Sequence, residues 1–136
     1  MSMIPFYLKF PILAQSETRT FIVPDGNSKL PGGEYVFVEL YCDDPKCDCR
    51  RVIVQIARAE SPCDILATVN FGWESVDYYA SWLGSTDGAA NMSGASLEPF
   101  GEQSSISQQL LLLFRYAIQE GMYLERFKNH YKMFHP

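Results

Sequence analysis

The stretch that decides the fold runs from Glu34 to Arg58 and reads EYVFVELYCDDPKCDCRRVIVQIAR. Its first part alternates between two sets of side chains, which are Tyr35, Phe37, Glu39 and Tyr41 on one side and Val36, Val38, Leu40 and Cys42 on the other. Alternation of this kind predicts a strand with one buried face. Because the second set is purely apolar, we expect it to face the core. Arg51 to Arg58 alternates in the same way, so the stretch predicts a β-hairpin joined by Asp43 to Arg50.

The flanking sequence extends this hairpin into a larger sheet. Upstream, Met1 to Pro11 is apolar and predicts a first edge strand, and Thr18 to Val23 predicts a second short strand. Downstream, Asp64 to Phe71 alternates again and predicts a further strand. The middle of the chain is therefore expected to form an antiparallel meander.

Beyond Gly72 the apolar spacing changes to that of helices. Glu74 to Leu83 predicts a short helix that stops at Gly84, because glycine commonly ends helices. Residues 84–103 are rich in Gly, Ser and Asn and predict a long loop, with one helical turn near Ala89 to Met92. A loop of this length is often functional or mobile.

The last third of the chain predicts two helices separated near Gly121. Ser105 to Gln108 fits a capping box, which would begin the first helix. Helical spacing relates two sets of apolar residues, namely Ile106, Leu110, Leu113, Phe114, Ala117 and Ile118, and then Tyr123, Phe127, His130, Tyr131 and Phe134. The whole pattern predicts a single α+β domain over residues 1–136, with an N-terminal antiparallel sheet packed against C-terminal helices.

Composition bounds the class of protein. The chain has 136 residues, of which 47% are hydrophobic and 20% charged, as in globular domains. Its net charge of −5 disfavours nucleic-acid binding, because phosphates repel an acidic surface. The longest apolar run, Leu110 to Phe114, is too short for a membrane span. We therefore expect a cytoplasmic protein whose thiols stay reduced.

Three of the four cysteines lie close together at the predicted hairpin tip. Cys42, Cys47 and Cys49 form a C-x4-C-x-C pattern, separated by residues that favour turns. Zinc takes four ligands in a tetrahedron and binds thiolates well, so the pattern predicts a structural zinc ion. The spacing differs from paired C-x2-C motifs and is a weaker signal than they are.

Geometry within the predicted meander selects the fourth ligand. Cys63 would lie about 25 Å from the tip at the usual rise per strand residue, where it would be a small buried hydrophobe. His135 stands beside Pro136 and is expected to fray. His130 lies on the apolar face of the last helix, and we predict that it completes the site with Cys42, Cys47 and Cys49, while Cys63 and His135 stay open as alternatives to it.

The function that these features favour is a small zinc-stabilised module for protein interaction, acting as a monomer or a homodimer with an unknown protein partner. Aromatic residues are candidates for a contact surface, among them Trp73, Tyr78, Tyr79 and Trp82, although core packing is their commoner role.

Two catalytic alternatives stay open, and an iron–sulfur cluster is disfavoured. A zinc enzyme would need a general base, and no H-E-x-x-H motif is present. Thiol redox chemistry through Cys47 and Cys49 is opposed by the acidic residues around them, which disfavour thiolates. An iron–sulfur cluster usually needs four cysteines, and Cys63 is too remote. No catalytic residue is predicted.

Overall fold

The computed structural model describes residues 3–26 and 29–136 of the chain. Within them lies an antiparallel sheet of six strands, namely β1 (Met3–Pro5), β2 (Arg19–Val23), β3 (Gly33–Cys42), β4 (Arg51–Arg58), β5 (Ala67–Gly72) and β6 (Gly94–Leu97). The helices are α1 (Phe6–Lys9), α2 (Pro11–Glu17), α3 (Val76–Leu83), α4 (Ala89–Met92), α5 (Ser107–Ala117) and α6 (Gly121–Phe134). The predicted α+β class, with the sheet first and the longest helices last, is confirmed. No helix in the described ranges is both long enough and apolar enough to cross a bilayer.

Strand β3 is the centre of the sheet. It pairs with β4 along one edge, while its other edge is shared by β2 at its start and by β1 at its end. The predicted meander of β3, β4 and β5 is confirmed, and β6 extends it beyond β5. The loop between β3 and β4, residues 43–50, therefore leaves the end of β3 that also pairs with β1.

The aromatic face of β3, and not its aliphatic face, lies in the core. Tyr35, Phe37 and Tyr41 are fully buried, whereas Val36 and Val38 are only half-buried. The ring of Phe37 lies 6.1 Å from that of Phe114 in α5, so the helices cover this face. The prediction that the purely apolar set faces the core is wrong for these strand positions. The prediction assumed that the face with the charged Glu39 would be exposed. The charge of Glu39 is instead paired inside the fold, as described below.

Other differences from the sequence prediction concern the ends of elements. The predicted first strand stops at Pro5, and α1 and α2 follow, with Pro11 at the first position of α2, a favourable place for proline. Met1 and Ser2, at the start of that prediction, lie outside the described residues. The capping box is absent, because Ile106 is the residue that caps α5 and its own side chain makes no capping hydrogen bond. The loop 84–103 contains the predicted helical turn, α4, and also the unpredicted strand β6.

Helix α3 stops at Gly84 as the sequence predicts, but it begins at Val76 rather than at Glu74. The Ser75 hydroxyl accepts a hydrogen bond from the Tyr78 backbone N–H at the start of the helix. Gly84 ends it with φ of 73°, a left-handed conformation that glycine adopts without steric cost. This helix lies against the β3–β4 loop through its tyrosines, and so helps to position the cysteines.

Candidate metal centre

Three cysteines converge at the tip of the β3–β4 hairpin. Cys42 is the last residue of β3, and Cys47 and Cys49 lie in the loop that follows. Their sulfur atoms all lie within 4.8 Å of one another, so the three could hold a metal ion. Cys42 and Cys49 are fully buried, and Cys47 is half-buried.

Two backbone features bring the sulfurs together. The first is a turn over residues 44–47, in which the Asp44 carboxylate accepts from the Lys46 N–H at 3.0 Å and the Asp44 carbonyl accepts from the Cys47 N–H at 3.1 Å. The second is Arg50, whose φ of 48° is left-handed and uncommon outside glycine. This turn at Arg50 directs the chain from Cys49 into β4.

Arg50, in its left-handed conformation, is held by hydrogen bonds with three surrounding aromatic residues. The Arg50 N–H donates to the Tyr131 hydroxyl at 3.2 Å. The Arg50 carbonyl accepts from the Tyr79 hydroxyl at 2.7 Å and from the backbone N–H of Trp73 at 3.3 Å. A conformation that costs energy persists only where its surroundings determine it, and these three contacts do so here.

The two backbone carbonyls that precede Cys49 are fixed in the same way. The Tyr131 hydroxyl donates to the Cys47 carbonyl at 3.3 Å, and the Tyr78 hydroxyl donates to the Asp48 carbonyl at 2.5 Å. The aromatic residues considered as a contact surface are therefore mainly used to pack the loop, and Trp82 packs against the core as well. Hydrogen bonds from α3 and α6 therefore hold the loop against the rest of the domain.

Charged groups around the loop are paired with each other. The Arg50 guanidinium bonds both Asp48 oxygens, at 2.8 and 2.9 Å, and reaches Glu74 at 2.9 Å. Hydrogen bonding from Arg50 is the main cause that lowers the pKa of Asp48, and His135 contributes a smaller electrostatic effect in the same direction.

The thiols themselves are poor acids in this setting. Burial is the main cause that raises the pKa of Cys42, Cys47 and Cys49, and the neighbouring Cys49 raises the pKa of Cys47 further. Since the thiolate is the reactive form, the thiols by themselves are weak nucleophiles at neutral pH. This weighs against redox chemistry through Cys47 and Cys49.

His130 sits between two carboxylates rather than among the thiols. Its Nδ1 lies 2.7 Å from Glu39 Oε1 and its Nε2 lies 2.6 Å from Glu17 Oε1. Its ring stacks on Phe6 with centroids 3.8 Å apart. The structure brings together three of the four predicted ligands and gives the nitrogens of the fourth other partners. Ligation by His130 stays a prediction.

The two remaining candidates occupy very different places. Cys63 is exposed, so the prediction that it is buried is wrong. His135 directly follows α6, and its ring stacks on Tyr131 with centroids 4.2 Å apart. Both ring nitrogens of His135 are buried and have no hydrogen-bond partner within residues 3–26 and 29–136.

Sequence reasoning missed the carboxylates of the His130 site and the role of Tyr131. Glu39 carried a signal, because it is the only charged residue within a run of apolar positions from Tyr35 to Cys42. Glu17 carried none, because nothing in the sequence relates α2 to α6.

Comparison of the chain with family models, with curated proteins and with solved structures finds no match.

Proposed function

We propose that this chain is a small domain whose hairpin tip is held by one zinc ion, bound by Cys42, Cys47 and Cys49. The observation that carries the proposal is the mutual approach of the three sulfurs, within 4.8 Å. They come from a strand end and a loop that needs a strained residue, Arg50, to orient Cys49. Such a costly arrangement of soft ligands at a hairpin tip is well suited to a thiophilic ion.

Zinc is the metal that fits this donor set best. It favours tetrahedral sites made of thiolates and one further ligand. Burial keeps the free thiols protonated, and a bound zinc ion would drive their deprotonation. An iron–sulfur cluster is a poorer fit, because the fourth cysteine, Cys63, is exposed and lies outside the group of close sulfurs.

We assign zinc a structural role rather than a catalytic one. A catalytic zinc keeps an open coordination position for water or substrate. Here two of the three sulfur ligands are fully buried, and tyrosine hydroxyls from α3 and α6 bond the backbone of the loop. A metal in this place would join the end of β3 to the loop, as a structural site does.

A role in protein interaction is the second part of the proposal. The face of α1 and α2 exposes Tyr7, Leu8 and Ile12, with 83% of Ile12 accessible. Neighbouring exposed apolar side chains mark contact surfaces. We propose that this face joins two copies of the chain. Sedimentation equilibrium should show a dimer that Ile12→Glu dissociates; a monomer at every concentration would contradict the homodimer.

The zinc proposal is tested by metal content. Wild type, Cys47→Ser and Cys63→Ser are purified, supplied with Zn²⁺, desalted and measured by elemental mass spectrometry. We expect about one zinc per chain in wild type and in Cys63→Ser, which is the matched control because Cys63 lies away from the cluster. Cys47→Ser should lose most of the metal. Equal zinc content in all three proteins, or none in wild type, would contradict the site.

A further inference from the structure

We propose that His135 is the fourth ligand of the zinc ion, so that the site consists of three cysteines and the imidazole that follows α6. The inference deepens the proposed function and rests on it. It assigns the fourth ligand from the hydrogen bonding of the two histidines in the fold. It differs from the sequence prediction, which names His130.

The hydrogen bonding of the two histidines is opposite. Both His130 nitrogens have a carboxylate within 2.7 Å. Both His135 nitrogens are buried and have no hydrogen-bond partner in the part of the chain that the structure describes. Buried polar atoms without partners are rare, because each loses its water without compensation. Metal ligation by one nitrogen of His135 would remove that penalty for the ligating nitrogen.

Tyr131 connects His135 to the loop that carries the thiols. His135 lies one helical turn beyond Tyr131, and their rings stack with planes 19° apart. The Tyr131 hydroxyl bonds the Cys47 carbonyl and the Arg50 N–H, which flank Cys49. Tyr131 therefore both bonds the cysteine loop and stacks on the imidazole of His135, which has no hydrogen-bond partner among the described residues.

A side-chain rotation would complete the site. The group of close ligand atoms contains the three sulfurs and neither histidine, so the His135 side chain would have to change its rotamer to bind a metal held by them. His135 follows the last helical residue, and its backbone N–H bonds the Tyr131 carbonyl at 3.1 Å. The side chain can therefore rotate while the helix end stays in place.

The carboxylates near the cluster are less suitable ligands, because each already has a partner. Asp43 pairs with Lys9 at 2.7 Å, Asp44 closes the turn through the Lys46 N–H, and Asp48 is bonded by Arg50 at both oxygens. Imidazole is also the usual companion of three thiolates at structural zinc sites.

The test compares Zn²⁺ affinity and the Co²⁺ absorption spectrum of wild type, His135→Ala, His135→Cys and His130→Gln. We expect His135→Ala to bind Zn²⁺ at least 10-fold to 100-fold more weakly, since loss of even an outer-sphere partner has effects of about that size. His135→Cys should restore tight binding and strengthen the sulfur-to-cobalt absorption, because a fourth thiolate replaces the imidazole. Far-ultraviolet circular dichroism checks that each variant is folded.

His130→Gln is the matched control and should keep the wild-type Co²⁺ spectrum, with Zn²⁺ affinity within a few-fold. The inference is overturned if His135→Ala keeps wild-type affinity and spectrum while wild type binds one zinc, a result that leaves the three-thiolate site standing. Loss of the spectrum in folded His130→Gln alone would return the role to His130. A wild type that binds no Zn²⁺ would overturn the proposed function itself.

Discussion

At the scale of single residues, the most unusual feature is the row formed by Glu17, His130 and Glu39, of which His130 and Glu39 are buried. The Glu39 side chain is 3% exposed and that of His130 is 2% exposed, and the Tyr41 hydroxyl donates a second hydrogen bond to Glu39 at 2.6 Å. A carboxylate in this position is tolerated only because it is paired and hydrogen-bonded. The row also joins α2, β3 and α6, which are far apart in the sequence.

Removal of the imidazole should therefore destabilise the domain strongly. We expect His130→Ala to lower the free energy of unfolding by about 3–5 kcal/mol, because it leaves the charge of Glu39 buried without its partner. Glu17→Gln should cost much less, since the Glu17 side chain is 36% exposed and water can replace the contact. Urea unfolding measures both, and equal small losses would show that Glu39 does not depend on His130.

The same row predicts a pH dependence of stability. Burial by itself lowers the pKa of His130, but hydrogen bonds and charges from Glu39 and Glu17 outweigh it and raise that pKa above 6.5. The folded protein then holds the proton more tightly than the unfolded chain does. The resulting stabilisation is fully present below the unfolded pKa and is lost as the pH rises through the folded pKa.

The measurement is the difference in unfolding free energy between wild type and His130→Gln, which share the same thiols. This difference should be largest at pH values below about 6.5 and should decrease as the pH is raised above it. A difference that grows with rising pH would mean that His130 is held neutral in the fold.

At the scale of elements, the end of β5 is pressed against the residues that support the cysteine loop. A Cβ at Gly72 would overlap the Met92 carbonyl oxygen and the Tyr79 hydroxyl. Tyr79 is the residue that donates to the Arg50 carbonyl. We expect Gly72→Ala to cost about 1–3 kcal/mol of stability through overpacking and to weaken Zn²⁺ binding through Tyr79.

The control for Gly72→Ala is Gly121→Ala at the start of α6. A Cβ there meets nothing within 4 Å, so the substitution should be neutral or stabilising by up to about 1 kcal/mol. Thermal unfolding and Zn²⁺ titration of both variants give the comparison. Similar behaviour of the two would mean that the contact at Gly72 does not hold the loop.

The sequence predicts the elements better than it predicts their faces. The strands β3, β4 and β5 and the break at Gly121 follow from local spacing, and their existence is confirmed. The buried face of β3 does not follow from local spacing, because it depends on a long-range pair between Glu39 and His130. Strand β6 was missed because Gly94 to Leu97 is too short to show alternation, and pairing with β5 defines it.

The candidate site likewise has one part that the sequence predicts and one part that it does not. The three cysteines are neighbours in the sequence, so their approach could be predicted from turn-forming residues between them. The histidines are far from them in the sequence, and helical spacing placed His130 on the apolar face of α6 without showing what lies opposite. The carboxylates opposite it are supplied by β3 and α2, which only the folded arrangement reveals.

At the scale of the whole molecule, the proposed zinc ion would fasten the C-terminal helix to the centre of the sheet. A ligand that binds only the folded state stabilises it, by about 2.7 kcal/mol when its free concentration is 100 times the dissociation constant. We therefore expect a chelator to lower the thermal midpoint of wild type by several degrees and to leave that of Cys47→Ser almost unchanged. An equal midpoint in wild type with and without chelator would show that the metal does not contribute to folding.

The central claim is that three thiolates and one imidazole bind a single zinc ion, and the most direct measurement is X-ray absorption at the zinc edge of the loaded protein. Our account predicts three sulfur neighbours at about 2.3 Å and one nitrogen neighbour at about 2.0–2.1 Å with the outer scattering of an imidazole ring. A zinc shell made only of oxygen and nitrogen would contradict the assignment of Cys42, Cys47 and Cys49 as its ligands.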